Sequence, residues 1–189
     1  MLLVNSNGKI VIFLFIVGYC YLCVIMYKAV FLDRDGVINH EIGDYVYKIE
    51  DFKFNTGLFT ALRLLKEYDY KLIVVTNQGG IAKGRYTHNE VNDLHNFMLE
   101  KFLEEGIKID DVFFCPHHHT IAPCLCRKPN SLMIEKAIAK YHLDTSRSFL
   151  IGDNENDILA GEKAGVKGVL IESNTNILPR VKMDILNVV

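Results

Sequence analysis

Tryptophan is absent from the sequence, proline occurs only four times, and neither sign of charge dominates, since 21 basic and 23 acidic residues give a formal charge of −2. The basic residues are scattered, so the chain lacks the positive patch that nucleic-acid binding requires. Low-complexity tracts and internal repeats are also missing. A chain of 189 residues with this composition is expected to form one globular domain with a substantial core.

The five cysteines are an odd number for a disulfide framework, so we expect a reducing, cytoplasmic environment. Three of them lie close together with a histidine, in a C-x-H then C-x-C spacing. The four candidate ligands are Cys115, His117, Cys124 and Cys126. Sulfur and imidazole ligands in this number predict a closed, structural Zn²⁺ site. His118 or His119 could replace His117, and the alternative is a loop with three free thiols.

The first 26 residues form an apolar extension that precedes a predicted domain over 27–189. Ile10–Tyr27 contains no charged side chain and is about long enough to cross a bilayer as a helix. It is either a membrane anchor, the one feature that would bring the protein to a membrane, or the product of a mis-assigned start with translation beginning at Met26. The second interpretation is favoured, because a predicted central strand begins at about Lys28 with no linker.

From Tyr27 onward, short apolar segments alternate with helical patterns, which predicts an α/β fold. Five segments are expected to form buried parallel strands: Lys28–Leu32, Lys71–Thr76, Asp111–Cys115, Ser148–Ile151 and Gly168–Ile171. Four helices are expected between them: Gly57–Tyr68, Asn89–Glu105, Leu132–Tyr141 and Glu155–Ala164. The order predicts a three-layer, Rossmann-like parallel sheet with helices on both faces. Thr87 and Glu90 have the spacing of a capping box at the start of the second helix. Asn39–Phe54 is expected to form a flap or short hairpin over the site. Met183–Val189 is expected to add an edge strand.

Two carboxylates, Asp33 and Asp35, follow the first predicted strand directly. Residues two apart on a strand point to the same side, so both can face one volume at the carboxyl edge of the sheet. Like charges placed so close repel each other, and a hard cation such as Mg²⁺ relieves the repulsion. Asp153, at the end of the fourth strand, is a natural third oxygen ligand. The alternative is a strand end followed by an ordinary Asp-Gly turn.

Phosphate-binding groups follow two other predicted strand ends. Thr76, Asn77 and Gln78 offer a hydroxyl and two amides, and Arg127 and Lys128 offer a fork and a point charge. Each group alone also suits an ordinary turn or a solvated surface pair. Their convergence with the carboxylates on one sheet edge is the main argument for an anion-binding active site.

In this order the residues resemble the four motifs of the haloacid-dehalogenase (HAD)-like phosphohydrolases, over residues 27 to about 173. Arg34 between the two aspartates, and the thiol loop that leads into Arg127 and Lys128, are similar to the small-capped branch. That branch contains the heptose 1,7-bisphosphate 7-phosphatases and the histidinol-phosphate phosphatases. Gly80–Tyr86 and Gly43–Val46 favour the heptose type, whereas the short stretch after His117 approaches the histidinol-phosphate type.

The resemblance implies a Mg²⁺-dependent phosphomonoesterase that removes the 7-phosphate of D-glycero-D-manno-heptose 1,7-bisphosphate, a precursor of the lipopolysaccharide core. Asp33 would be the nucleophile that becomes an aspartyl-phosphate, and Asp35 the general acid and base. Mg²⁺ would be held by the Asp33 carboxylate, the Asp35 backbone carbonyl and Asp153. Asp157 and Asn154 would support the site from behind.

The same resemblance implies that Thr76 and Lys128 stabilise the transferring phosphoryl group. The substrate-binding residues would be Tyr45, Thr76, Asn77, Gln78, Arg127 and Lys128. The expected partner is a small phosphorylated sugar, and the chain is expected to be a monomer. Histidinol-phosphate phosphatase is the enzymatic alternative, and a zinc-stabilised binding module is the non-enzymatic one. The absence of a large cap insertion argues against a phosphotransferase.

Overall fold

The computed structural model describes residues 2–4, 10–12, 15–16, 19–20 and 26–188. In the first part of the chain, Leu2–Val4 pairs antiparallel with Ile10–Ile12, and Phe15–Ile16 with Tyr19–Cys20. Within the described residues, no helix has both the length and the apolar character needed to span a membrane. The division at residue 26, and the choice between a membrane anchor and a start at Met26, stay predictions.

A five-stranded parallel sheet forms the centre of the domain. Its strands are β1 (Ala29–Leu32), β2 (Lys71–Asn77), β3 (Asp111–Cys115), β4 (Phe149–Gly152) and β5 (Lys167–Leu170). They lie in the order β3-β2-β1-β4-β5, and every neighbouring pair is parallel. The prediction of a parallel sheet is confirmed. Because the chain crosses from β3 on one side to β4 on the other, the crevice for a ligand opens at the carboxyl end of central β1.

Four helices cover the two faces of the sheet: α1 (Leu58–Glu67), α2 (His88–Glu104), α3 (Leu132–Tyr141) and α4 (Glu155–Lys163). The capping box that opens α2 is confirmed. The Thr87 hydroxyl accepts a hydrogen bond from the Glu90 N–H at 3.2 Å, and the Glu90 carboxylate accepts one from the Thr87 N–H at 2.8 Å. These two bonds pair backbone donors that the helix itself leaves free.

Alternate residues of β1 pack into two separate hydrophobic clusters, which confirms the three-layer arrangement. Val30 and Leu32 join the cluster formed with α1 and α2, whereas Ala29 and Phe31 join the one formed with α3 and α4. All four side chains are fully buried. A strand buried on both faces reads as a continuous apolar run, as this one does in the sequence.

Two sequence predictions for irregular segments are wrong in part. Asn39–Phe54 forms no hairpin; its ends meet in one antiparallel bridge, and Val46 and Phe52 anchor it in the core. The C-terminal segment is not an edge strand, but is α-helical over Leu178–Arg180 and π-helical over Val181–Leu186. Val181 and Ile185 of this segment are buried in the first hydrophobic cluster. Their spacing of four residues is the periodicity of a helix rather than of a strand.

Candidate active site

The carboxyl ends of the central strands meet at a cleft of about 370 Å³. Most of the site residues predicted from the sequence line it: Asp33, Asp35, Tyr45, Thr76, Asn77, Arg127, Lys128 and Asp153. Gly36 leaves room for the side chain of Asp153 beside the cleft. It has a φ of +82°, and a Cβ built on it would overlap the Asp153 carboxylate. A side chain at position 36 would therefore move Asp153 out of the cleft.

Lys128 is almost completely buried behind the cleft and is paired with two carboxylates. Its Nζ lies 2.8 Å from Asp33 Oδ1 and 2.6 Å from Asp157 Oδ1, and it donates a hydrogen bond of 2.7 Å to the Val75 carbonyl. Burial opposes the charge on this lysine, but the two carboxylates outweigh burial and raise its pKa. The ammonium group is therefore a fixed positive charge beside Asp33.

Three carboxylates, from Asp33, Asp153 and Asp157, have oxygens that lie within 4.8 Å of one another. Burial raises the pKa of Asp33 to about 7, against the attraction of Lys128 and with added repulsion from Asp157. Burial is also the main cause that raises the pKa of Asp153. One ammonium group does not balance three carboxylates, so the donor set fits a further hard cation such as Mg²⁺. Asp157 is the least available ligand, since it also accepts a hydrogen bond of 3.1 Å from the Asn154 N–H.

Asp35 is held by side chains whose roles the sequence analysis missed. Fully buried Arg34 donates to both carboxylate oxygens of Asp35 from Nη2, at 2.9 Å each, and Asn39 donates to Oδ1 at 3.0 Å. Gln78 donates to Oδ2 at 3.0 Å. A signal was present in the sequence, because an arginine inside a buried strand end must find an anionic partner.

The side-chain amides of Asn77 and Gln78, which were predicted to contact substrate, form hydrogen bonds with the protein. Asn77 accepts a hydrogen bond of 3.0 Å from the Lys128 N–H and donates one of 3.1 Å to the Lys128 carbonyl. Gln78 is buried, donates to the Thr76 hydroxyl at 2.9 Å, and accepts from the Tyr86 hydroxyl at 2.8 Å. Asn77 thus clamps the lysine backbone, and Gln78 links Asp35 to its neighbours.

The thiol loop, which runs from Cys115 to Cys126, brings together four metal ligands: Cys115, His117, Cys124 and Cys126. Five of the six distances between their sulfur and Nδ1 atoms are 3.0 to 3.7 Å, close to the roughly 3.8 Å between sulfurs around a tetrahedral Zn²⁺. His118 bonds the Thr120 hydroxyl at 2.8 Å instead, and His119 stacks on His118. The set fits a structural zinc ion with no open coordination position.

The thiol loop also positions the two cations that follow it. Arg127 donates a hydrogen bond of 3.2 Å from Nη1 to the His117 carbonyl, and Lys128 comes next in the chain. A Cβ built on Gly79 would lie 3.0 Å from this guanidinium nitrogen, so the glycine leaves room for it. The loop therefore acts on the cleft through Arg127.

The flap borders the cleft on the opposite side. Tyr45 meets the ring of Tyr86 edge-on at 5.5 Å between centroids, and Arg85 pairs with Asp44 at 2.9 Å. Asn174 holds the base of the flap, since its side chain bonds the Glu41 N–H at 2.6 Å and the Glu41 carbonyl at 3.0 Å. These contacts hold the flap over the cleft.

Comparison with known proteins agrees with this geometry. Residues 125–180 match the HAD-hydrolase-like family model. A D-glycero-alpha-D-manno-heptose-1,7-bisphosphate 7-phosphatase of Campylobacter jejuni is 46% identical over 147 residues, 78% of this chain and 83% of the relative. A D-glycero-beta-D-manno-heptose-1,7-bisphosphate 7-phosphatase of Helicobacter pylori is 44% identical over 148 residues, 76% of this chain and 82% of the relative.

The chain belongs to the heptose-1,7-bisphosphate 7-phosphatase family of HAD-like hydrolases. A solved structure agrees: the D,D-heptose 1,7-bisphosphate phosphatase of B. bronchiseptica, complexed with magnesium and phosphate, superposes with a TM-score of 0.73 at 28% identity. The match covers 83% of this chain and 86% of that one. As a member of this family, the protein is a phosphatase that uses Mg²⁺, and the predictions of HAD-like fold, phosphatase activity and magnesium are confirmed.

Proposed function

We propose that this phosphatase removes the 7-phosphate of D-glycero-D-manno-heptose 1,7-bisphosphate through a phosphorylated Asp33. The observation that carries the proposal is the meeting of Asp33, Lys128 and Asp153 in one cleft, in a chain more than 40% identical to enzymes named for this substrate. We propose that the reaction takes place in the cytoplasm, an environment in which Cys115, Cys124 and Cys126 stay free of disulfide bonds, and that the enzyme acts as a monomer.

The first half-reaction transfers the phosphoryl group to the protein. A carboxylate oxygen of Asp33 bonds to phosphorus as the bond from phosphorus to the sugar oxygen breaks, and that oxygen takes a proton from Asp35. In the second half-reaction, Asp35 takes a proton from water, whose oxygen attacks the aspartyl-phosphate and releases phosphate.

The remaining residues stabilise charge and orient the substrate. Lys128, 2.8 Å from Asp33, neutralises charge on the phosphoryl oxygens, and the Thr76 hydroxyl donates to one of them. Arg127 and Tyr45, on opposite sides of the cleft, contact the sugar and its second phosphate. When held by Asp33, Asp153 and the Asp35 backbone carbonyl, Mg²⁺ supplies the positive charge that lets an anionic phosphate approach a carboxylate.

The nucleophile is tested with Asp33→Asn, which removes the attacking charge and should abolish phosphate release. The matched control is Asp93→Asn, an exposed aspartate on α2 whose change should leave turnover intact. Brief exposure of the wild-type enzyme to substrate, followed by acid quenching and mass spectrometry, should place a phosphoryl group on Asp33. Turnover retained by Asp33→Asn would contradict the mechanism.

The substrate is tested with a panel that contains both anomers of heptose bisphosphate and histidinol phosphate. The two anomers are both needed, because the relatives from Campylobacter and Helicobacter are named for different ones. We expect a heptose bisphosphate to give the highest kcat/KM. Histidinol phosphate is included because the loop after His117 is short. If it were hydrolysed best, the proposed substrate would be wrong while the phosphatase mechanism stood.

A further inference from the structure

Arg34 is a fully buried cation whose hydrogen bonds reach three different partners. Nε and Nη2 face Asp35 at 3.2 and 2.9 Å, Nη2 also donates to the Val46 carbonyl at 2.7 Å, and Nη1 lies 3.3 Å from His95 Nε2. A buried guanidinium is stable only when its N–H groups are paired. The partners therefore decide which edge of the guanidinium faces Asp35.

His95 is placed to accept a hydrogen bond from Arg34. It projects from α2, is only 5% exposed, and meets the ring of Phe114 edge-on at 5.5 Å. Burial, followed by the adjacent Arg34 charge, lowers the pKa of His95 to about 3. The ring is thus neutral at neutral pH. Because arginine has only donors, Nε2 must carry the lone pair and Nδ1 the proton.

We propose that His95 is a positioning residue for ester cleavage: its neutral imidazole accepts from Arg34 Nη1, so that the guanidinium presents Nε and Nη2 to Asp35. The inference rests on the proposed function, in which Asp35 protonates the leaving oxygen. Asn39 and Gln78 each supply one hydrogen bond to Asp35, whereas Arg34 reaches both carboxylate oxygens. Loss of the acceptor at His95 frees Arg34 to turn and displaces the acid.

A displaced acid has a measurable signature. A sugar alkoxide is a poor leaving group that requires protonation, whereas p-nitrophenolate leaves without a proton. The ratio kcat/KM reports only the steps up to release of the alcohol, and not the later hydrolysis of the aspartyl-phosphate, in which Asp35 acts as the base for both esters. Weakening Asp35 therefore lowers kcat/KM for the sugar ester and spares kcat/KM for the aryl ester. A general loss of structure at His95 would instead slow both esters alike.

The experiment compares kcat/KM for heptose bisphosphate and for p-nitrophenyl phosphate. His95→Phe and His95→Leu remove the acceptor while keeping an apolar side chain against Phe114, and His95→Gln restores an acceptor oxygen. The matched control is His88→Phe, an exposed histidine of α2 whose ring also meets Phe114, at 6.0 Å. Asp35→Asn shows how large the difference between the two esters becomes when the acid itself is lost.

We expect both apolar variants to lower kcat/KM for the sugar ester about tenfold, a part of the roughly 10²–10⁴-fold effect of a general acid, and to change kcat/KM for the aryl ester less than about twofold. His95→Gln and His88→Phe should stay near wild type on both. Equal losses on the two esters, or an unchanged sugar rate in His95→Phe, would overturn the inference. Wild-type enzyme that hydrolyses neither ester would refute the proposed function instead.

A second measurement applies if the apolar variants fail to fold or the wild type rejects the aryl ester. Nitrogen NMR of the wild-type protein at pH 7 should show His95 neutral, protonated on Nδ1 and accepting on Nε2. The opposite tautomer or an imidazolium ion would overturn the inference, because neither leaves a lone pair for Arg34.

Discussion

Two clusters of metal-binding side chains lie on either side of Arg127 and Lys128, and they are built on opposite principles. The carboxylates of Asp33 and Asp153 face an open cleft and carry more negative charge than Lys128 balances. The thiol cluster, formed by Cys115, His117, Cys124 and Cys126, brings together three sulfur atoms and one imidazole nitrogen, which is a complete tetrahedral ligand set for one metal ion. Open oxygen sites can admit a substrate, whereas closed sulfur sites hold a loop in shape. The difference assigns chemistry to the first cluster and positioning to the second.

The largest effect is expected when the ammonium group of Lys128, which pairs with the carboxylates beside the cleft, is removed. Lys128→Met leaves Asp33 and Asp157 buried without a cation, so kcat should fall about 10²–10³-fold and the free energy of unfolding by about 3–5 kcal/mol. The exposed Lys136→Met is the control. Steady-state kinetics and urea unfolding check both values. Wild-type kcat in Lys128→Met would remove the distinction between the two clusters.

The thiol cluster is expected to give a smaller, indirect effect. His117→Gln should release zinc, from about one equivalent per chain to near zero, and misplace Arg127, so that kcat/KM falls about 10–100-fold. His119→Gln is the matched control, because His119 stacks on a neighbour and is not a ligand. Metal analysis and kinetics check the prediction. Equal zinc content in the two variants would show that the cluster is not the zinc site.

The binding of Mg²⁺ to the carboxylates of the cleft should depend on pH. Because burial raises the pKa of Asp33 to about 7, its contribution to stability without metal is full below about pH 4 and is lost as the pH rises to about 7. At low pH, Mg²⁺ must displace the proton that Asp33 carries. Saturating Mg²⁺ should therefore raise Tm by roughly 5–10 °C at pH 8 and much less at pH 5.5. A Tm shift independent of pH would contradict the assignment of Asp33 as a ligand.

The smallest effect is expected at the flap, which belongs to neither cluster. Asn174→Gly keeps the left-handed backbone, with φ at +65° in the wild type, but removes two hydrogen bonds to Glu41. KM should rise about fivefold with little change in kcat, equivalent to about 1 kcal/mol. Asn187→Gly is the control, since Asn187 is also left-handed, at +53°, and exposed. A fall in kcat with unchanged KM would mean that the flap acts on the chemistry rather than on binding.

The parts of the fold that could be predicted are those where one physical requirement dominates. Five short apolar runs bounded by polar residues gave strands whose bounds are correct to within one residue, because buried parallel strands tolerate little else. Asp33 and Asp153 could be brought together from sequence, since parallel strands end at the same edge. The spacing of Cys115, Cys124 and Cys126 indicated the thiol cluster, but left His118 and His119 as alternatives to His117.

The sequence leaves a choice open where one residue type serves two purposes. Asn77 and Gln78 carry the same donors whether they bind a phosphate or the protein, and only the structure shows their hydrogen bonds to the protein. Leu103 is apolar but is 63% exposed, because the adjacent Phe102 occupies the core. His95 gave no signal, since a lone histidine on a helix is compatible with many roles.

The hydrogen bonds between the Asn77 side chain and the Lys128 backbone allow the entrance of the cleft to change without moving Lys128. The position of Lys128 is fixed by Asn77 at the end of β2, 51 residues earlier in the chain. It therefore does not depend on the length of the segment that precedes Lys128. Insertions or deletions between His119 and Pro123 can therefore reshape the entrance, and with it the range of accepted esters, while leaving the phosphate-cleaving apparatus where it is.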